Sequence, residues 1–323
     1  MSGDNSILVG DVGGTHARFA IVQAFGPAPW RIEQRLDLDQ PFPTFSEALR
    51  DYVDRAHVAP IPAKAAIAVA GPVSAGTAHF TNRGWQISET ELQKFGFKSA
   101  LLINDFAALA FAVEILDEKD LRTIGPKLEG LNGATISILG AGTGFGVSCL
   151  ARYGDRVVPM ATEGGHMGFA PSDEAEGAAL QVMRSQLGRV SIERILSGPG
   201  LENLYRALEQ VAGRAPPALH AAEIVAKATG DDAGCRAALT MFCSIYGAVA
   251  GDIALVHGAQ GGVYIAGGIA QKIEGFLAQS PFRTRFDSKG RLSPYVTAIP
   301  TKLIVNPDAA LLGAARAAVV LAH

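Results

Sequence analysis

The sequence predicts a two-lobed α/β protein, each lobe a mixed sheet flanked by helices, on three observations. The first is a repeated element: the glycine-rich segments Gly10-Asp11-Val12-Gly13-Gly14-Thr15 and Gly140-Ala141-Gly142-Thr143-Gly144-Phe145-Gly146 each lie between two short apolar runs. The second is length, since 323 residues exceed what one hydrophobic core usually serves. The third is composition: 48% hydrophobic and 18% charged residues supply apolar surface for two packed cores and exclude a disordered chain.

Taken in order, Ile7-Leu8-Val9 and Arg18-Phe19-Ala20-Ile21-Val22 read as strands around the first glycine turn. Thr44-Phe45-Ser46-Glu47 has the form of a capping box, and Phe45, Leu49, Tyr52 and Val53 recur at helical spacing after it. Residues 65–70 form a short apolar run stopped by Gly71-Pro72, a buried strand delivering a turn. Ser88 and Glu91 make a second capping box, with Gly96 ending the helix. Ala100-Leu101-Leu102-Ile103 is another buried strand, and its carboxyl end presents Asn104-Asp105 ahead of a helical pattern through Phe106, Leu109, Ala110 and Val113.

The charged stretch that follows, carrying Gly125-Pro126, marks the crossover between lobes. Residues 1–115 are assigned to a smaller lobe and 116–306 to a larger one. In the latter, Ile136-Ser137-Ile138-Leu139 and Val147-Ser148-Cys149-Leu150 flank the second glycine turn. Ser172 is positioned to cap a helix running to about Gly188, and Leu201, Leu204, Tyr205 and Leu208 mark the next one. A long helical pattern over 233–257 delivers the strand ending in Ala266-Gly267-Gly268. Asn306-Pro307-Asp308 introduces a last Ala/Leu-rich helix, 307–323, expected to return to the first lobe.

A net charge of −3 without a Lys/Arg run argues against nucleic acid or an anionic membrane as partner. Cys149, Cys235 and Cys243 are scattered, which suggests neither a zinc site nor a disulfide framework and fits a reducing compartment. No secretory leader is read in residues 1–9, and no run reaches the roughly 18 apolar residues of a membrane span. The expectation is a cytoplasmic protein.

Both glycine segments are followed by a strand, whereas a Walker loop or a Rossmann turn opens a helix, and neither has the glycine spacing of those motifs. What remains is a strand-turn-strand whose backbone can approach an anion closely, with N–H groups and the Thr15 and Thr143 hydroxyls available to phosphate oxygens. A single copy reads equally well as a hairpin without a ligand; two matched copies favour a phosphate clamp.

Together with Ile103-Asn104-Asp105-Phe106, Glu163-Gly164-Gly165-His166, Leu196-Ser197-Gly198-Pro199-Gly200 and Ile265-Ala266-Gly267-Gly268, the two turns resemble the actin-like ATPase superfamily. Within it the chain is most similar to bacterial glucokinases of the type distinct from the ROK group, over nearly its whole length. The ROK kinases carry a cysteine-rich zinc motif that three scattered cysteines do not reproduce. The resemblance implies the actin-like ATPase (ribonuclease H-like) fold with its active site in the cleft, and ATP and Mg²⁺ as the nucleotide and its ion.

The same resemblance implies Asp105 as the base that takes the proton of the sugar hydroxyl, a role suited to phosphoryl transfer, which needs an oriented nucleophile and a nearby carboxylate. As a residue before a helix it reads equally as an N-cap. Asn104, Glu163, His166 and Glu193 are implied as sugar-binding, and carboxylate, amide and imidazole groups suit a ring of hydroxyls. Glu193-Arg194 also reads as a surface ion pair. Gly10, Asp11, Val12, Gly13, Gly14 and Thr15 on one turn, Gly142, Thr143 and Gly144 on the other, and Gly267 and Gly268 are implied at ATP. Asp11 is expected to meet Mg²⁺ through water, because this ion keeps much of its hydration shell. His16 stands where other members often carry Asn.

The expected activity is ATP-dependent phosphorylation of glucose at its 6-hydroxyl, by a homodimer. The alternatives are another hexose, another phosphoryl donor, or a sugar- or nucleotide-sensing switch on the same fold.

Overall fold

From its start the chain forms strands β1 (Ser6–Val12), β2 (Ala17–Gln23) and β3 (Arg31–Leu38), helix α1 (Phe45–Arg55), and strands β4 (Lys64–Val69), β5 (Val73–Ser74), β6 (Thr77–Phe80) and β7 (Trp85–Ser88). Helix α2 (Glu89–Phe95), β8 (Ser99–Asn104) and α3 (Asp105–Ala112) follow. The structure is a computed structural model and describes residues 5–13, 17–24, 30–38, 42–80, 84–154 and 156–321. Gly14, Thr15 and His16 therefore lie outside the described residues.

The second stretch holds β9 (Leu121–Thr123), β10 (Ile136–Ala141), β11 (Phe145–Tyr153), β12 (Arg156–Thr162), α4 (Glu174–Leu187), α5 (Gly198–Val211), α6 (Ala221–Thr229), α7 (Ala233–His257) and β13 (Gly262–Ala266). It ends with α8 (Gly268–Lys272), α9 (Glu274–Gln279), α10 (Phe282–Asp287), α11 (Ser293–Thr297), β14 (Thr301–Ile304) and α12 (Ala309–Leu321). The chain divides into two units, Met1–Asp120 with Asn306–His323, and Leu121–Val305.

Each unit is built on the same sheet. In the first the order is β3-β2-β1-β4-β8; in the second it is β12-β11-β10-β13-β14, with β9 added at the edge. In both, the first three strands pair antiparallel and the next two parallel. The duplication expected from the two glycine segments thus extends through five strands of each sheet. The strands enter those segments further than the sequence suggested: Gly10, Asp11 and Val12 are paired with Phe19, Arg18 and Ala17, and Gly140 and Ala141 with Gly146 and Phe145. Among the described residues, ladder pairing leaves Gly13 of the first segment and residues 142–144 of the second outside the strands.

In unit 1, Leu8, Val12, Ile67, Val69 and Leu102 pack with Phe45, Leu49 and Tyr52 of α1. Each such buried side chain contributes about 1.5–3 kcal/mol. The β1 and β4 strands also bear α12, which packs lengthwise on α3. Both helices are rich in alanine, and at their closest approach a Cβ on Gly313 would lie 1.9 Å from the Ala108 carbonyl oxygen. A small sheet, β5-β6-β7, completes the unit.

The core of unit 2 is organised by α7, which packs against α5, α6 and α10. Counter to the sequence expectation, α7 is long and apolar enough to cross a membrane; alanine, glycine and serine interleave its apolar residues, so that no unbroken apolar run announces it. Most of its apolar residues face the core, Val256 being an exception, and 61% of its apolar window is buried. A second correction concerns α4. Asp173, not Ser172, caps it, accepting from the Glu176 N–H at 2.8 Å, while the Ser172 N–H donates to the Glu176 side chain. The helix begins one residue later than expected, and the offset favours the aspartate.

Candidate active site

β1, β4 and β8 run parallel, so Asp11, Val69 and Asn104 come out at the same end of the first sheet, the end at which open α/β sheets bind ligands. Asn104 closes β8 and caps α3: its Oδ1 accepts from the Phe106 and Ala107 N–H groups at 3.0 and 3.1 Å. Its Nδ2 donates to the Gly71 carbonyl at 3.2 Å and to Asp105 Oδ1 at 3.1 Å. That engages both donors and both acceptor positions of the amide. Asp105 Oδ1 also accepts from the Phe106 N–H at 2.9 Å. The capping expected of Asp105 therefore belongs to Asn104, and Asp105 is the first helical residue, its carboxylate oriented by the cap and lying where a helix N-terminus favours negative charge.

Asp11 and Arg18 are cross-strand partners in the β1–β2 register and form an ion pair through Asp11 Oδ2 and Arg18 Nη2. Arg18 also donates to the Pro307 carbonyl at 2.8 Å, which ties the start of the returning segment to this hairpin. Sequence reading missed this cation, although the hairpin register was enough to place it opposite Asp11. Gly10 has a packing reason of its own. A Cβ there would come within 2.9 Å of Ile67 Cδ1 and 3.0 Å of Phe19 Cε1. Of the first turn, Gly13 is described and Gly14 and Thr15 are not.

In unit 2 the turn 142–144 is gripped on both sides. The Gly198 N–H, at the start of α5, donates to the Gly142 carbonyl at 2.9 Å, and the Phe145 N–H donates to Glu193 Oε2 at 2.9 Å. Below the turn, the buried Tyr246 hydroxyl accepts from the Ala141 N–H at 3.2 Å, its ring edge-on to Phe145, Phe242 and Phe282. Burial pushes that phenol's pKa far above its ordinary value.

Glu163-Gly164-Gly165-His166 leaves β12 as a single 3₁₀ turn. Its glycines are required by contact with β11: a Cβ on Gly165 would lie 2.1 Å from the Phe145 carbonyl oxygen and one on Gly164 would lie 3.0 Å from Val147 Cβ. Glu163 and His166 are both solvent-facing, with side chains 72% and 59% exposed and 3.9 Å between Oε2 and Nε2. Arg189 holds the His166 carbonyl at 2.7 Å, and the Ile192 N–H bonds the Met167 carbonyl at 2.9 Å, joining this turn to the Ile192–Arg194 turn.

Gly267 adopts φ +89° at the end of β13, and a Cβ there would meet the Ala141 carbonyl oxygen at 2.3 Å. Gly268, with open space beside it, begins α8. The residues singled out in unit 2, from Gly142, Thr143 and Gly144 to Glu163, His166, Glu193, Gly267 and Gly268, thus sit on segments that bond to one another or pack on the ends of β10 and β11. Beside them a cavity of about 200 Å³ is lined by Thr143, Glu193, Arg194, Ser197, Pro199, Gly200 and Asn203. The surface ion pair Glu193-Arg194 is not what this carboxylate makes; its bond is to the turn.

A family profile described as Glucokinase matches residues 8–320. The chain belongs to the glucokinase family. A glucokinase from Caulobacter sp. (strain K31) is 46% identical over 319 residues, covering 98% of this chain and 96% of that one. The solved glucokinase from an Antarctic psychrotroph superposes with a TM-score of 0.88 at 38% identity, covering 97% of this chain and 98% of that one. The glucokinase from Balamuthia mandrillaris, solved in complex with glucose, has a TM-score of 0.79 at 21% identity, over 96% of this chain and 92% of that one, and speaks for the fold. The two related sheets are those of the actin-like ATPase fold that this glucokinase-family chain shares with solved sugar kinases.

Proposed function

We propose that the chain transfers the γ-phosphoryl group of ATP to the 6-hydroxyl of glucose, with Asp105 as general base. What supports this most is a carboxylate fixed at the parallel-strand end of β8 in a chain matched along nearly its full length by glucokinases. Asp105 takes the 6-hydroxyl proton as that oxygen attacks the γ-phosphorus; the bond to the β,γ-bridging oxygen breaks and ADP leaves. Little covalent work falls to the protein, so positioning and charge account for most of the rate. Asn104 orients the base, and meeting a sugar hydroxyl requires it to yield its 3.2 Å bond to Gly71. Glu163, His166 and Glu193 receive the remaining hydroxyls. Phosphate is received by the two glycine segments, Gly13, Gly14 and Thr15 in the first and Gly142, Thr143 and Gly144 in the second. In the second the Gly144 N–H and the Thr143 hydroxyl serve as donors, because the Gly142 N–H is held by the Gly144 carbonyl at 2.8 Å. Gly10 and Val12 carry the first segment, and Gly267 and Gly268 bound the adenosine.

Among the described residues no group of three or more His, Cys, Asp or Glu could hold a metal unaided. Mg²⁺ that arrives on ATP brings phosphate ligands and needs one protein carboxylate through water. Asp11 fits that requirement, since Arg18 engages its Oδ2 and restrains it from closer approach. The ion supplies screening of the phosphate charge. The three cysteines are each buried and free, which supports the type distinct from the ROK group. A homodimer in the cytoplasm completes the reading.

The test is a coupled assay of sugar phosphate formation across a panel of hexoses and phosphoryl donors. Glucose with ATP is expected to be the preferred pair, with one glucose 6-phosphate per ADP. Turnover of no hexose, or ADP release unaccompanied by sugar phosphate, overturns the reading in favour of a nucleotide switch.

A further inference from the structure

The Glu193 carboxylate touches the phosphate turn rather than a neighbouring cation. Its Oε2 accepts the Phe145 N–H at 2.9 Å, and the Gly144 Cα lies so close that an added Cβ would come within 2.5 Å of the same oxygen. The backbone behind it is fixed as well. Ser197 Oγ donates to the Glu193 carbonyl at 2.7 Å and accepts from the Gly200 N–H at 3.0 Å, while Gly198 holds the other side of the turn. The Leu196-Ser197-Gly198-Pro199-Gly200 motif, to which the sequence assigned no role, is therefore the mount of this clamp. A carboxylate fixed here shapes the turn but also sets a negative charge beside the place where phosphate is received, with Thr143 and Glu193 lining one cavity. A hydroxyl donated to its second oxygen would draw off part of that charge without releasing the turn.

We propose that Glu193 is a positioning residue shared by the two substrates: Oε2 sets the 142–144 turn through Phe145, Oε1 takes a sugar hydroxyl, and glucose and nucleotide therefore bind cooperatively through one carboxylate. This rests on the kinase reading above and names the residue that links its two ligands.

The experiment is calorimetric titration of the non-hydrolysable analogue AMPPNP with Mg²⁺, with and without glucose. Glucose is raised to saturation for each variant by its own titration, and melting curves are recorded alongside. In the unaltered protein glucose should tighten AMPPNP by about fivefold or more. Glu193→Gln keeps an acceptor for the Phe145 N–H but removes the charge. It should bind AMPPNP without sugar at least as tightly as the unaltered protein, and the effect of glucose should fall below about twofold. Glu193→Ala releases the turn and should weaken sugar-free binding, the opposite direction. Gly144→Ala, whose Cβ displaces the carboxylate, should behave like Glu193→Ala, and the double variant should be no worse than either single one. A merely structural role would move Gln and Ala in the same direction. Retention of the full glucose effect in Glu193→Gln, or additivity in the double variant, overturns the proposal. So does an unaltered protein that makes glucose 6-phosphate yet binds AMPPNP indifferently to glucose; failure to phosphorylate any hexose overturns the kinase reading instead.

Discussion

The place of Asp105 was legible because the sequence put it at the end of an apolar run, where a strand stops and a helix starts. Its mount was not. Which of two adjacent polar side chains caps α3 depends on backbone angles at one residue, and the structure gives that place to Asn104, with its Oδ1 on two helix N–H groups. Asp105→Asn preserves the shape and the bond to the Phe106 N–H but cannot accept the sugar proton, so turnover should fall by about 10² to 10⁴ with sugar affinity largely kept. Stopped assays and a glucose titration on the same preparation check both halves. Glu163 and His166 are exposed, and among the described residues their ion pair is the 3.9 Å one with each other, so replacing them should spare the fold. Glu163→Gln and His166→Ala should each raise the KM for glucose by about five- to thirtyfold, the loss of about 1–2 kcal/mol of hydrogen bonding. Damage confined to the ATP dependence would place that turn at the nucleotide.

Strands and helices with strong patterns were read from sequence close to their observed limits: the 233–257 pattern is α7 and Ser88 caps α2. Contacts between elements remote in sequence were not, because periodicity says which face is buried and not against what. Arg18 beside Pro307 and Glu193 beside Phe145 are of that kind. So is the contact of α12 with α3. A Cβ at Gly313 would meet backbone at 1.9 Å, and backbone cannot step aside as a side-chain tip does. Gly313→Ala should therefore cost about 1–3 kcal/mol of stability, read as a lowered melting temperature, and should reduce turnover because α3 carries Asp105 at its first position. Unit 2 offers a pH test. His257 closes α7 with Nδ1 2.8 Å from Ser137 Oγ, and burial holds its imidazole below the ordinary histidine value. The unfolded chain then takes up the proton more readily than the folded one, so this contribution is full above about pH 6.5 and is lost as pH falls through the folded value. The melting temperature should drop on acidification across that window, and His257→Gln should remove part of the drop.

At the scale of the whole chain, the residues assigned to the reaction are divided between two units joined by two crossings, one after Asp120 and one before Asn306. The duplicated glycine segments were legible from sequence as a repeat, and the matched strand orders extend that duplication through both sheets. The Asn306 Nδ2 donates to Asp120 Oδ1 at 3.0 Å, binding the two crossings to each other on the first unit. Asp105 belongs to unit 1 and the 142–144 turn to unit 2. Water competes with the sugar as nucleophile at about 55 M, and an enzyme that reacted whenever ATP was bound would hydrolyse it. Restricting reaction to the sugar-bound state requires that sugar binding energy help assemble the reacting groups. Without sugar, ATP hydrolysis should accordingly be at least about a hundredfold slower than ADP formation with glucose. With glucose, each ADP should be matched by one sugar phosphate. 6-Deoxyglucose, which offers the other hydroxyls to Glu163, His166 and Glu193 but no nucleophile, should compete with glucose without accepting phosphate. If it instead fails to compete, recognition depends on the reacting hydroxyl itself and the roles given to those three residues are wrong. Rapid hydrolysis in the absence of any sugar would show that reaction does not wait for the sugar.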